Sequence, residues 1–357
     1  MDRKKLDALL DKAYEALDAG DLPGARAALA RARKLAPEDR DVIVLQVDLA
    51  LEKAGDGEEM DRALEPLDSA VERKPEDPAL AATLASYLID LFEDYFDARP
   101  LLELAASALE VQVDGEPGDE GASRDLLVGV LLLLAEARGA MREPRAALDA
   151  ARRAVEVAPD SPEVRVALAD ARFDLCDLRG ARDEVRQALE LDPKCADAHW
   201  ALGRIETASR DMAAADAAFE KAVRLDPERF FRPTRVTETE LVALVEEGLA
   251  ELPEAVRDFM KNVAITVEDV PAMERLTDQD PPLSPGILGL FEGTPPVHEA
   301  TDGPAVLPRQ ITLFRRNIEI ESSDRDELRD LALSTLVHEI GHYLGLDEDD
   351  LDKRGLS

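Results

Sequence analysis

The sequence predicts an all-α array of repeated helical hairpins over its first two thirds, followed by a small α+β domain. Three observations carry this. Prolines that close helical segments recur at Pro159, Pro193 and Pro227, each 34 residues after the last. Hydrophobic content is 45% but aromatic content only 4%, a profile of Ala, Leu and Val that suits helices packed through small residues. After Pro227 the period stops, and Val, Ile, Thr, Pro and Gly become prominent, so a new domain starts near Arg229. The 357 residues give room for two or three domains, divided here into an array over 1–228 and a second domain over 229–357.

The array reads unit by unit. The first, Leu6 to Pro37, places Gly20-Asp21 at the inter-helix turn, followed by Ala25, Leu29 and Ala32. The second ends at Pro75 and carries about four extra residues near Gly55-Asp56-Gly57, a tolerable loop insertion. The third, about Pro78 to Val113, is degenerate around Tyr87, Tyr95 and Ala105, and a polar Gly- and Asp-rich stretch from Asp114 to Gly121 follows it. The fourth offers Leu134-Ala135, Ala147, Ala151 and Ala154; the fifth Leu168-Ala169, Gly180-Ala181, Val185 and Ala188. The sixth is clearest, with Leu202-Gly203, Ala215, Phe219 and Ala222 before Pro227. Small residues such as Gly203 and Ala215 let the two helices of a unit approach, while Leu202 and Phe219 fill the space between neighbours. Proline then ends the second helix because it lacks the backbone donor. These positions and this period resemble the tetratricopeptide (TPR) repeat proteins. The resemblance covers roughly Leu6 to Pro227, about six repeats, and implies a solenoid whose concave groove takes a peptide or protein segment.

Charge narrows the function classes. With 43 Lys+Arg against 78 Asp+Glu, the net charge is −35, which argues against nucleic-acid binding, since that requires a basic surface. The same acidity predicts a groove that prefers basic segments; the alternatives are a solvated surface or a mere spacer. The longest apolar run, Leu126 to Ala135, is far short of the roughly 20 residues that span a bilayer. Met1 to Leu17 is amphipathic and charged, with no export signal visible, and the expected location is cytoplasmic. Two cysteines, Cys176 and Cys195, are too few for a disulfide framework and read as free thiols.

In the second domain, Thr237 to Leu252 reads as an amphipathic helix opened by a Thr237/Glu240 capping box. Strands are expected at Val263 to Val267, Ile287 to Phe291 and Ile311 to Ile320, and a long irregular loop over Thr294 to Arg309. Ser322-Ser323-Asp324 opens a final helix from Arg325 to Leu344, with Leu328, Leu331, Ala332, Thr335 and Leu336 at helical spacing. That helix holds His338-Glu339-Ile340-Gly341-His342. Residues four apart emerge from one helix face, so both imidazoles are placed to ligate one metal ion. Glu339 lies off that line and is suited to accept a proton as general base. The competing reading is a surface helix with two unrelated histidines. Gly345 falls at the glycine of the extended H-E-x-x-H-x-x-G pattern, and Glu348 stands where that pattern has a third histidine. A carboxylate is an admissible zinc ligand; Asp347 and Asp349 are alternatives to Glu348.

The segment from about Arg235 to Leu351 resembles the minimal zincin-like metallopeptidase family of bacteria. Its matching stretches are Leu252-Pro253, Asn262-Val263, Val267 to Pro271, Leu288 to Gly293, Leu307 to Phe314 and Thr335 to His342. The resemblance implies one zinc per chain, ligated by His338, His342 and an acidic residue just after Gly345, with Glu339 as base and peptide hydrolysis as the reaction. The leading expectation is therefore a zinc-dependent peptidase whose repeats recruit or position a protein substrate or partner. Its rival is a non-catalytic TPR adaptor with a metal-stabilised zincin-like domain, and hydrolysis of another amide or ester is a third class. The strand Ile311 to Ile320 is expected to offer an edge to an extended substrate, with Arg315 and Arg316 on it as contacts to the oxyanion or to an acidic substrate, or simply as solubilising charges. His298, in the irregular loop, is read as a surface residue that has the option of approaching the site, Tyr343 as packing or donor, and His199 as structural.

Overall fold

The computed structural model describes residues 3–115, 120–251, 263–292 and 310–343. Twelve helices form six consecutive hairpins: α1 (Arg3–Asp18) with α2 (Leu22–Leu35), α3 (Arg40–Leu51) with α4 (Gly57–Arg73), α5 (Pro78–Phe92) with α6 (Tyr95–Gly115), α7 (Glu120–Ala140) with α8 (Pro144–Val157), α9 (Pro162–Asp174) with α10 (Leu178–Leu191), and α11 (Ala196–Ala208) with α12 (Met212–Leu225). The fold is thus a TPR-like solenoid. Recurrent aspartates start its second helices: Asp21, Asp177 and Asp211 each accept the backbone N–H three residues on, at 2.9 to 3.1 Å. Gly203 shows why the period needs a small residue. A Cβ there would lie 2.4 Å from Cε1 of the buried Phe219, so α11 and α12 touch through ring against backbone.

The remaining elements are α13 (Glu238–Glu251), β1 (Ala264–Glu268), a single turn α14 (Met273–Leu276), β2 (Gly289–Glu292), β3 (Gln310–Phe314), α15 (Arg315–Ile320) and α16 (Arg325–Tyr343). The capping box of α13 is reciprocal: Thr237 N–H donates to Glu240 at 2.7 Å and Glu240 N–H to Thr237 Oγ1 at 3.2 Å. The sheet order is β1-β3-β2, with β1 parallel and β2 antiparallel to β3. Ile311 and Leu313 pack with Leu241 and Val245 of α13 and with Leu328, Ala332, Leu336 and Ile340 of α16 in one core. On the other face Arg275 of α14 links all three strands, through Glu268 at 2.8 Å, Glu292 at 2.7 Å and Thr312 Oγ1 at 3.3 Å.

The run Ile311 to Ile320 is not one strand: it turns at Phe314 into α15, and β3 is central, so among the described residues neither of its edges is open. Arg315 and Arg316 are neither strand residues nor bystanders. Arg315 bonds Asp269 and the carbonyl of Val236, and Arg316 donates to the fully buried Glu319 at 2.8 Å. Arg235 reaches the same carboxylate at 2.7 Å and Val236 N–H at 3.1 Å, so Glu319 binds the segment before α13 to α15.

The chain divides into two compact units, Met1–Ala158 and Pro159–Ser357. Hairpins one to four make up the helical part of the first; hairpins five and six share the second with the sheet and its helices. Within this second unit residues 281–287 lie against the fifth and sixth hairpins. Ser284 Oγ donates to Asp174 at 2.7 Å, Cys176 Sγ to the Leu283 carbonyl at 3.3 Å, and Gly286 borders Phe173. Asn317 clamps the same segment from the other side by donating to the carbonyls of Pro285 and Ile287, at 2.8 and 2.7 Å. Ile320 meets Phe219 and Ala215 of α12, with Trp200 packed alongside.

Candidate metal centre and its supporting strand

The site is built on α16. Asp324 caps it by accepting from Asp326 and Glu327 N–H, both at 2.9 Å, and Glu327 answers by accepting from Ser323 N–H at 2.7 Å. Leu328, Ala332, Leu336 and Ile340, four residues apart, hold one face in the core. That anchoring fixes the rotation of the helix and carries Glu339 to β2, with His338 and Glu339 both half-buried.

Glu339 is the best defined group there. Its Oε2 accepts the backbone N–H of Phe291 at 2.9 Å. In the β2–β3 register Gly289 pairs Leu313 and Phe291 pairs Ile311, so both belong to the sheet face that carries α16. Gly289 makes the approach possible: a Cβ at that position would lie 2.7 Å from Thr335 Cγ2 and 3.3 Å from Glu339 Cγ. Thr335 is itself locked to the helix by its hydroxyl on the Leu331 carbonyl at 2.7 Å. The path is continuous, since residues 281–287 are held by the fifth and sixth hairpins and lead directly into β2. The Leu288 to Gly293 stretch carries no functional expectation from sequence, yet its strand is the element that touches Glu339.

The backbone of α16 is helical through Tyr343, so positions 338 and 342 stand one turn apart on one side of the helix, the backbone arrangement that two imidazole ligands of one ion require. Glu348 and its alternatives Asp347 and Asp349 lie outside the described residues, as does His298. Among the described residues no group of three or more His, Cys, Asp or Glu is gathered to hold a metal. In residue type and helical spacing His338 and His342 fit a zinc ion; the positions expected to supply a third ligand lie outside the described residues. His199 has the structural place expected of it, with Nε2 3.1 Å from the Pro193 carbonyl. Both cysteines are free thiols.

A zincin-like metallopeptidase family model matches residues 260–356, and a tetratricopeptide repeat model matches 10–78 and 166–229. The chain joins tetratricopeptide repeats to a zincin-like metallopeptidase domain. No curated protein matches it. Solved structures similar to it include PilF of Pseudomonas aeruginosa, at 16% identity and TM-score 0.47, over 63% of this chain and 94% of that one; PilW, a type IV pilus biogenesis factor, at 14% and 0.48, over 62% and 94%; and YrrB, described as a TPR protein with an unusual peptide-binding site, at 22% and 0.37, over 57% and 94%. The zincin-like match includes β2 and the whole of α16, the two elements that meet at Glu339. No helix among the described residues is long and apolar enough to cross a membrane.

Proposed function

We propose that the chain is a zinc-dependent peptidase, with Glu339 as general base, His338, His342 and Glu348 as metal ligands, and the repeats as the part that recruits a protein substrate or partner. The observation that carries this reading is the contact of the motif glutamate with the outer backbone N–H of β2. It sets the base carboxylate against the strand along which an extended chain would pair. A zinc ion at the two imidazoles, when bound, supplies a water of lowered pKa and polarises the scissile carbonyl. Glu339 takes the proton and delivers it to the leaving amine. Its half-buried position, fixed between Gly289 and Phe291, keeps the carboxylate from turning into solvent. The outer backbone groups of β2 align the substrate, which replaces the substrate-binding role expected of β3.

The test pairs metal content with hydrolysis of an unfolded protein substrate such as casein, for the wild type, Glu339→Gln, His338→Ala and Glu348→Ala. Zinc near one per chain that persists in Glu339→Gln while hydrolysis is lost, and that disappears in the other two variants, is the expected result. Retained hydrolysis in Glu339→Gln refutes the role of the base. Zinc without hydrolysis in the wild type favours the adaptor reading.

A further inference from the structure

The first helices of successive hairpins repeat one position. Tyr14 and Asp48 are 34 residues apart, as are Glu136, Asp170 and Arg204, and Tyr87 is the equivalent after the insertion in the second repeat. In the fifth and sixth hairpins this row is self-complementary. Arg204 donates to Asp170 at 2.9 Å, and its guanidinium lies 4.8 Å from the centre of the Phe173 ring, beside Gly286 of the segment that covers it. A carboxylate and an aromatic face three residues apart on α9 thus already bind one guanidinium from α11 in this protein.

The first four hairpins carry the acidic and aromatic half of that arrangement. Tyr14 donates to Asp48 at 3.2 Å, and Tyr87 donates to the other oxygen of the same carboxylate. One turn along α5, exposed Asp90 takes the Ser86 hydroxyl at 3.0 Å. Tyr95, at the start of α6, is raised above the ordinary tyrosine range, first by burial and then by the charges of Glu136, Glu93 and Asp90. Glu136 is pushed above the usual carboxylate range, first by loss of water and then by the charge of Asp90. Tyr14 and Tyr87 thus share one carboxylate, and on α5 Tyr87 and Asp90 stand three residues apart, as Asp170 and Phe173 do on α9.

We propose that Tyr87, Tyr95, Asp90 and Glu136 form a docking surface for an arginine-bearing extended segment of a partner protein, the guanidinium lying against tyrosine and paired to Asp90 and Glu136 as Arg204 is to Phe173 and Asp170. The occupant is basic because the charge of the face is acidic, and arginine rather than lysine because a planar fork stacks and pairs at once. The proposal deepens the reading of the repeats as the recruiting part and does not depend on catalysis.

The test is fluorescence anisotropy on the full chain carrying Glu339→Gln, so that no peptide is cleaved and failure of the peptidase reading leaves the binding result standing. The probes are short labelled peptides of alternating arginine and serine, lysine and serine, or glutamate and serine. The arginine peptide should bind tightest and the glutamate peptide not at all. Asp90→Asn with Glu136→Gln should raise the dissociation constant by about tenfold or more, and Tyr95→Leu by several fold while Tyr95→Phe leaves it unchanged. Removing the same charge from the exposed Glu65 and Asp68 of α4, by Glu65→Gln with Asp68→Asn, should change it by less than about twofold. Equal losses in both charge pairs, equal binding of the glutamate peptide, or no effect of the Asp90 and Glu136 pair would overturn the proposal.

Discussion

Glu319 offers the sharpest test of how the second unit is held together. Its side chain is fully buried and accepts from Arg235 at 2.7 Å, Arg316 at 2.8 Å and Val236 N–H at 3.1 Å, with Arg315 at 3.4 Å. Glu319→Ala removes the one acceptor these donors share. Breaking a buried ion pair costs about 3–5 kcal/mol. Arg235 and Arg315 are partly exposed and retain Asp216 and Asp269, which places the loss at the low end, about 3 kcal/mol. For a unit of this size that corresponds to a fall of roughly 6–12 °C in melting temperature. The reporter is built in, because Trp200 is the single tryptophan and packs with Phe219 and Ile320, next to the substituted residue. Urea unfolding followed by its emission should show a lower midpoint at unchanged slope, with Glu319→Gln between the wild type and Glu319→Ala. A midpoint within error of the wild type would refute the argument that this carboxylate ties the segment before α13 to α15.

Further outcomes are expected. Gly203→Ala drives a methyl into the Phe219 ring and should cost about 1–3 kcal/mol, read from the same Trp200 transition. Glu240 is lowered from its ordinary 4.5 to about 2 by Thr237 N–H and hydroxyl and by Arg325; its contribution is complete above pH 4.5 and is lost as pH falls toward 2. Acid unfolding of Glu240→Gln should therefore depend less on pH across that window. Burial, and then the Asp48 carboxylate, hold Tyr14 and Tyr87 above the ordinary tyrosine range, so the folded protein loses stability as pH rises past about 10. An ultraviolet titration of Asp48→Asn should bring tyrosine ionisation to lower pH. Gly289→Ala should leave zinc content unchanged and lower the turnover number on the order of tenfold or more, by pushing β2 off Glu339.

Much of this protein is legible locally. A 34-residue recurrence of small residues and terminal prolines determines the hairpins, because each helix end and each close contact within a repeat is settled by residues a few positions apart. The capping box of α13 and the cap of α16 are equally local, and so is the helical spacing of His338 and His342. Two groups four apart share a helix face whatever surrounds them.

What the sequence by itself could not determine depends on residues far apart in the chain. Ile311 to Ile320 is apolar enough to continue as a strand. It bends into α15 at Phe314 because Arg315 and Glu319 find partners at Asp269, Arg235 and Val236, some 46 to 84 residues away. Strand order is likewise nonlocal: β3, last in sequence, inserts between β1 and β2 and hands the outer position to a four-residue strand with a weak signal of its own. The contact that defines the candidate site, Phe291 N–H to Glu339, spans 48 residues, and it exists because Gly289 lacks the atom that would keep helix and strand apart. The docking of residues 281–287 on the fifth and sixth hairpins rests on contacts more than a hundred residues apart. Periodicity reports what a segment can bury, whereas pairing, edge position and the partner of a buried charge are decided by which surfaces meet when the chain closes.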